Sequence, residues 1–260
     1  MCLPTTGMII QRIFTYIYRE EEEQWRLGPA YDLTYSNTYY GEHTTSVDGN
    51  GRNPGEKELL AVGLAAGMKK IEMHCHILPG IDDGAEDMKQ SLQMLHIAME
   101  HEIVGAIVTP HGSARDASRE RTEKIRKLCR IFRAKAEQQF DVIFPGEEIL
   151  YSSDTRRLLD EGKLLTLADT RYVLVEFMPG VPYSTLFAAV RELRMAGYVP
   201  ILAHVERYHA LREDGRIEEL IHAGAKIQIN YSSVGGSWHS KTTRWCRKQL
   251  AQINPVFAVL

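Results

Sequence analysis

Histidines and carboxylates recur along this chain in short motifs that suit metal chemistry. The first is His74-Cys75-His76. Residues i and i+2 of a strand face the same way, so both imidazoles can reach one ion, although two polar residues at a strand end would look the same. Asp82-Asp83-Gly84 follows, and its plain reading is a turn. Thr109-Pro110-His111, Gly146-Glu147-Glu148, Val175-Glu176-Phe177 and Ala203-His204-Val205-Glu206-Arg207 come next, with Asn230 after them. Any one could be structural, but their succession at equivalent positions is hard to explain that way. Imidazole and carboxylate donors without thiolates suit zinc, manganese or iron. More donors than one ion needs implies a cluster of two or three ions, and such clusters favour in-line displacement at phosphorus. Arg207, three residues after His204, offers a planar guanidinium to a phosphate. Phosphoester hydrolysis is therefore the leading chemistry.

The elements that must carry these groups alternate in type from Lys69 onward. Short apolar runs (KIEMH, VGAIVTP, DVIFPG, YVLVEF, YVPILAH, KIQIN, PVFAVL) take turns with helix-like stretches such as EDMKQSLQMLHIAMEHE, Ala117 to Gln139 and STLFAAVRELRMAG. About seven βα repeats of this kind predict parallel strands covered by helices, in a barrel or an open sheet. The polar residues fall at or just past the strand ends, and a barrel gathers those ends on one face, which favours the barrel.

Composition narrows the class. The chain of 260 residues is 44% hydrophobic and 25% charged with a net charge of −3, which suits a globular protein and supplies no general attraction to nucleic acid or anionic lipid. The N-terminal apolar run is broken by Gln11 and Arg12 and lacks a basic lead, so neither a secretion signal nor membrane insertion is expected. Cys2, Cys75, Cys129 and Cys246 form no CxxC pair, and a cytoplasmic location is expected. Six residues after them stand Met8, Ile81, Lys135 and Gln252, so none has the arginine that a thiolate phosphatase needs. Cys75 reads as a core residue between two donors.

In order and spacing, HCHILPGIDDGAED, IVTPH, GEEILY, YVLVEF and PILAHVERY resemble the motifs of the PHP-fold bacterial protein-tyrosine phosphatases associated with capsular and exopolysaccharide synthesis. The resemblance covers residues 69–260. It implies a distorted (β/α)7 PHP barrel in a mixed α/β chain. It further implies a manganese-favouring centre of two or three ions, with zinc or iron as alternatives. The implied substrate is phosphotyrosine in the tail of a polysaccharide-assembly tyrosine kinase. The metal ligands then fall on His74, His76, Asp83, His111, Glu148, Glu176 and His204, with Arg207 as the phosphate contact; Arg207, Glu148 and His204 are the expected catalytic groups. The expected mechanism is attack on phosphorus by a hydroxide generated at the metals.

Two departures from that family are visible. Its last strand ends in a Ser-Asp-x-His-like motif, whereas this sequence ends at Asn254-Pro255-Val256-Phe257-Ala258-Val259-Leu260. The barrel is accordingly expected to lack its last ligands and final helix, with weaker metal binding and impaired turnover. His239 reads as a polar residue opening a helix rather than as a substitute ligand. The second departure is residues 1–67, whose aromatic-rich strands and turns include Asp48-Gly49-Asn50-Gly51. Within them, IFTYIYREEEEQWRLGPAYDLTYS and the following GEHTTSVDGNGRNPGEKELLAVGLAAGM resemble an internal piece of HipA-like serine/threonine kinases. That piece lacks the nucleotide-binding and phosphoryl-transfer motifs, so 1–67 is expected to be a small non-catalytic strand-turn-helix appendage, with His43 and the Tyr-Asp of PAYDL structural, and 68–260 to be the phosphatase domain. The competing expectations are a small-molecule phosphatase of the histidinol-phosphate kind and a catalytically impaired metal-binding remnant.

Overall fold

A computed structural model describes residues 16–19, 24–27, 70–101, 103–136, 142–237, 239–252 and 257–259. The chain divides into two compact units, 1–69 and 70–260. In the first, β1 (Tyr16–Arg19) and β2 (Gln24–Leu27) pair antiparallel, with Tyr16 opposite Leu27. His43, the PAYDL segment and the Asp48–Gly51 turn lie outside the described residues.

The second unit is a mixed α/β structure whose described strand pairs are all parallel. In chain order its elements are β3 (Lys70–Cys75), α1 (Met88–Glu100), β4 (Ile103–Val108), β5 (His111–Gly112), α2 (Arg119–Lys135), β6 (Val142–Pro145), β7 (Glu148–Leu150), α3 (Thr155–Asp160) and β8 (Tyr172–Glu176). There follow α4 (Tyr183–Met195), β9 (Val199–Leu202), α5 (Arg216–His222), β10 (Lys226–Asn230), α6 (Tyr231–Gly235), α7 (Lys241–Gln252) and β11 (Phe257–Val259). One sheet runs β3-β4-β6 and the other β11-β10-β9-β8-β7-β5.

The alternation expected from sequence is present, with one difference. His111 and Glu148 open the short strands β5 and β7 instead of closing β4 and β6. The first break falls at Thr109-Pro110, where proline has no N–H to give. The second falls at Gly146, whose absent Cβ would meet Leu167 Cδ2 at 2.9 Å and Ile107 Cγ2 at 3.1 Å. Hydrogen bonding crosses both breaks, because Thr109 N–H donates to Cys75 O (2.9 Å) and Glu148 N–H to Pro110 O (3.2 Å).

Helix starts follow their capping residues. Asp87 accepts from the Gln90 N–H at the head of α1, and Ser118 from that of Arg121 at the head of α2. Three apolar clusters fill the unit. Leu95, Phe132 and Ile125 back β3, β4 and β6. Leu186, Leu193, Leu202 and Leu220 back β8 to β10. A small inner cluster of Leu167, Leu174, Ile201 and Ala203 lies beneath the polar residues described next.

Candidate metal centre

The parallel register brings the polar ends of the strands together. His111 of β5 lies directly beside Glu148 of β7, and Glu148 beside Leu174, two residues and one same-face step before Glu176 of β8. Leu174 packs in the inner cluster, so Glu176 projects into the polar layer above it. In β3 the register slips between Glu72 and Cys75, which lets Met73 pack inward while the adjacent His74 still reaches the site.

Glu148 is the centre of the arrangement. It is 1% exposed, and its carboxylate lies 2.7 Å from His204 Nε2, 3.1 Å from His74 Nε2, 3.2 Å from His111 Nδ1 and 3.3 Å from His76 Nε2. Glu176 stands beside it, 3.1 Å from His111 Nδ1 and 3.4 Å from His204 Nε2. Three overlapping sets of donor atoms, each within 4.8 Å of one another, result: His74, His76 and Glu148; His76, Asp83 and His111; His111, Glu148 and Glu176. Six of the residues expected from sequence are thus in these sets, and His204 borders them through Glu148 and Glu176.

The protonation pattern follows from this crowding. Burial opposes ionisation of Glu148, but the bonds from His204, His74 and His76 outweigh it and hold its pKa far below the usual carboxylate range. Burial likewise works against Glu176, yet His111 and His204 bring it down to about 2. His76 is lowered by burial and raised more by Asp82 and Glu148, ending at about 10; His204, by the same balance with Glu148 and Glu176, ends at about 8. His111 is also raised, first by its bond to Glu176. Protonated imidazoles here supply the positive charge that the clustered carboxylates demand, and a divalent cation can take their place. A further buried atom, His204 Nδ1, has no hydrogen-bond partner among the described residues. Nitrogen and oxygen donors at this density, without thiolate, fit a borderline or hard divalent ion.

Several supporting residues were not evident from sequence. Asp82, rather than its neighbour Asp83, orients His76: its Oδ2 lies 2.7 Å from His76 Nδ1 and accepts from the His111 N–H, while Oδ1 accepts from the Gly84 N–H. Asp83 is exposed, with Oδ1 3.5 Å from His111 Nε2. Two adjacent aspartates left the sequence with no means of telling these roles apart. Glu147 is fully buried, accepting from Arg121 Nε (3.1 Å) and the Leu165 N–H (2.8 Å), and burial raises it to about 7. Arg121 also donates to the carbonyl of His111, so this pair braces the segment that carries His111. Tyr208 is completely buried and its hydroxyl accepts from the Phe177 N–H, which anchors the chain just after Glu176.

Arg207 lies in the 3-10 turn Val205–Arg207 that follows His204, with its guanidinium exposed and making no ion pair among the described residues. His204 itself has left-handed backbone angles, φ 33° and ψ 56°, a conformation that costs a non-glycine residue roughly 1–3 kcal/mol and is common at functional sites. Asn230 lies at the end of β10, where its N–H donates to Glu206 Oε1 and its Oδ1 accepts from Gln228. His239 is exposed in the turn before α7, apart from these donor sets. Cys75 is held between the strands, its N–H donating to Thr109 Oγ1, and burial pushes its thiol well up.

Known proteins similar to this chain are tyrosine phosphatases. The curated relatives include tyrosine-protein phosphatase YwqE of Bacillus subtilis, 35% identical over 64% of this chain and 66% of that protein. Tyrosine-protein phosphatase CpsB of Streptococcus agalactiae is 31% identical over 63% of this chain and 68% of that one. The chain thus spans about two thirds of the length of these relatives. A crystal structure from work on YwqE of Bacillus subtilis and CpsB of Streptococcus pneumoniae, described as unique metal-dependent tyrosine phosphatases, superposes with a TM-score of 0.61 at 30% identity. It covers 73% of this chain and 77% of that one. The family model for capsular polysaccharide synthesis, CpsB/CapC, matches residues 70–259, and this chain belongs to that family.

Proposed function

We propose that residues 68–260 form a metal-dependent protein-tyrosine phosphatase and that residues 1–67 bring no catalytic group to it. The observation that carries this reading is the buried Glu148 carboxylate with four imidazoles, from three separate segments of the chain, within 2.7–3.3 Å of it. Supporting the finer fold, a distorted (β/α)7 PHP barrel, are the bonds that carry β3-β4 pairing into β5 and β7 and so link the two sheets into a single wall.

His74, His76, Asp83, His111, Glu148, Glu176 and His204 would hold two or three divalent ions, manganese being the favoured one. Such ions supply Lewis acidity toward phosphoryl oxygens and lower the pKa of water. The chain's own groups do the rest. Glu148 and Glu176 hold negative charge at the centre of the site because their imidazole partners keep them ionised. The exposed Arg207 guanidinium, one 3-10 turn from His204, binds and orients a phosphoryl oxygen with paired N–H donors. Phenolate leaves with a pKa of roughly 10, so tyrosine phosphate needs less help from a general acid than serine phosphate. The substrate class is phosphotyrosine in a protein, with the tail of a polysaccharide-assembly tyrosine kinase as the partner, in the cytoplasm. No helix among the described residues is long and apolar enough to cross a membrane.

The test is turnover by the full chain of a phosphotyrosine peptide and of histidinol phosphate, with manganese and with a chelator. Manganese-dependent release of phosphate from the peptide is expected. Activity on histidinol phosphate alone would overturn the substrate class. Absence of turnover with less than about one ion bound per chain would favour a metal-binding remnant.

A further inference from the structure

We propose that Gln228 is a positioning residue that sets the tautomer of His74 and secures the left-handed turn at His204. Gln228 lies in β10 and is 1% exposed. Hydrogen bonds on both sides settle which way its amide faces. The backbone N–H of His204 can only donate, and it lies 2.7 Å from Gln228 Oε1, so that atom must be the carbonyl oxygen. On the other side Nε2 donates to Asn230 Oδ1 at 2.7 Å.

The same Oε1 lies 3.2 Å from His74 Nδ1. A carbonyl oxygen only accepts, so Nδ1 carries the proton and the lone pair of a neutral His74 is left on Nε2. Nε2 is the atom that faces Glu148 at 3.1 Å, within the donor set of His74, His76 and Glu148. His76 is oriented through its own Nδ1 in the same sense, by Asp82. The site therefore prepares adjacent ligands with different acceptors, a carboxylate for one and a neutral amide for the other.

Gln228 also satisfies the amide of the residue with φ 33°. Its oxygen joins β3 to the loop after β9 through a single atom, and losing it would leave a buried N–H without a partner at a strained position. An apolar residue of the same length would fill the space in β10 but do neither job.

The inference rests on the metal-site reading above, and its first readout involves neither metal nor turnover. In the metal-free full chain with 15N-labelled histidine, at a pH alkaline enough for the His74 ring to be neutral, long-range proton–nitrogen correlation spectra distinguish the two tautomers, and the His74 signals are identified by their loss in His74→Asn. The wild type is expected to show His74 protonated at Nδ1. Gln228→Met is expected to mix the tautomers and to lower manganese affinity, measured by calorimetry, by about 10–100-fold. Gln228→Glu keeps an oxygen in place and is expected to restore both. A bare Nδ1 with the proton on Nε2 in the wild type would overturn the proposal whatever the variants do. So would a folded Gln228→Met with unaltered tautomer and affinity, or a folded Gln228→Glu that restores neither. Should Gln228→Met not fold, the wild-type spectrum and Gln228→Glu decide the matter. A correct tautomer in a chain without phosphatase activity would support the positioning role and count against the proposed function alone.

Discussion

Replacing Glu148 by Gln should destabilise the metal-free protein by an amount that depends on pH. The substitution keeps shape but removes the charge that four imidazoles share. His204 is buried, which lowers its pKa, yet it ends at about 8 because of Glu148 and then Glu176. The net rise from 6.5 corresponds to roughly 2 kcal/mol of favourable interaction with the protonated ring. His76 reaches about 10, but Asp82 contributes first to that rise and remains in the variant. Breaking a buried pair typically costs about 3–5 kcal/mol, and here the imidazoles can relieve part of it by losing protons, so a loss of about 2–4 kcal/mol is expected near pH 7. The sign follows from linkage. Raised imidazole pKa values contribute stability that is complete below about 6.5 and lost as pH rises through about 8 for His204 and about 10 for His76. The depressed Glu148 contributes stability present above the ordinary carboxylate range, near 4.5, and lost as the solution becomes strongly acidic. The gap between wild type and Glu148→Gln should therefore be widest between about pH 5 and 7 and shrink toward pH 10. Urea unfolding of both chains in chelator, from pH 5 to 10, measures it. Equal midpoints at pH 7, or a gap that stays constant to pH 10, would refute the reasoning.

Three more expectations follow from the same geometry. Manganese must displace protons from His76 and His204, so its apparent affinity should climb from pH 6.5 toward 10 with proton uptake by buffer visible in calorimetry; a pH-independent affinity would contradict the assignment. Thiol alkylation should leave phosphatase activity intact while chelation abolishes it, because burial pushes Cys129 up to about 12, Cys246 to about 11 and Cys75 higher still. Gly84→Ala would set a Cβ 2.1 Å from His76 O, so the Asp82–Gly84 loop must move. Manganese affinity should fall by about 10-fold or more because the loop carries the His76 partner, and retention of wild-type affinity would show that the loop is dispensable.

Much of the candidate site was legible in the sequence because its donors sit where apolar runs stop, at a strand end or at the break just past one. His74, His111, Glu148, Glu176 and His204 stand out as candidates in this way, and the cysteine spacing speaks against the thiolate route. Less visible were the groups that hold the donors. Asp82 and Asp83 are indistinguishable as neighbours in a turn, and their separation into an orienting and an exposed carboxylate depends on how the loop folds back against Gly84. Arg121 is one basic residue among many on a charged helix, and Gln228 is an unremarkable polar position in the middle of a strand.

What sequence alone determined was the kind of chemistry and the elements bearing it, since donor type and strand periodicity are local properties. Tertiary structure decided which donors share an atom, which partner faces each imidazole nitrogen and where the strands break. Those features arise from parallel register and from contacts between residues far apart in the chain, such as His74 with Gln228 and His204 with Glu148. No local pattern encodes them, because each is set by the closing of one strand against another.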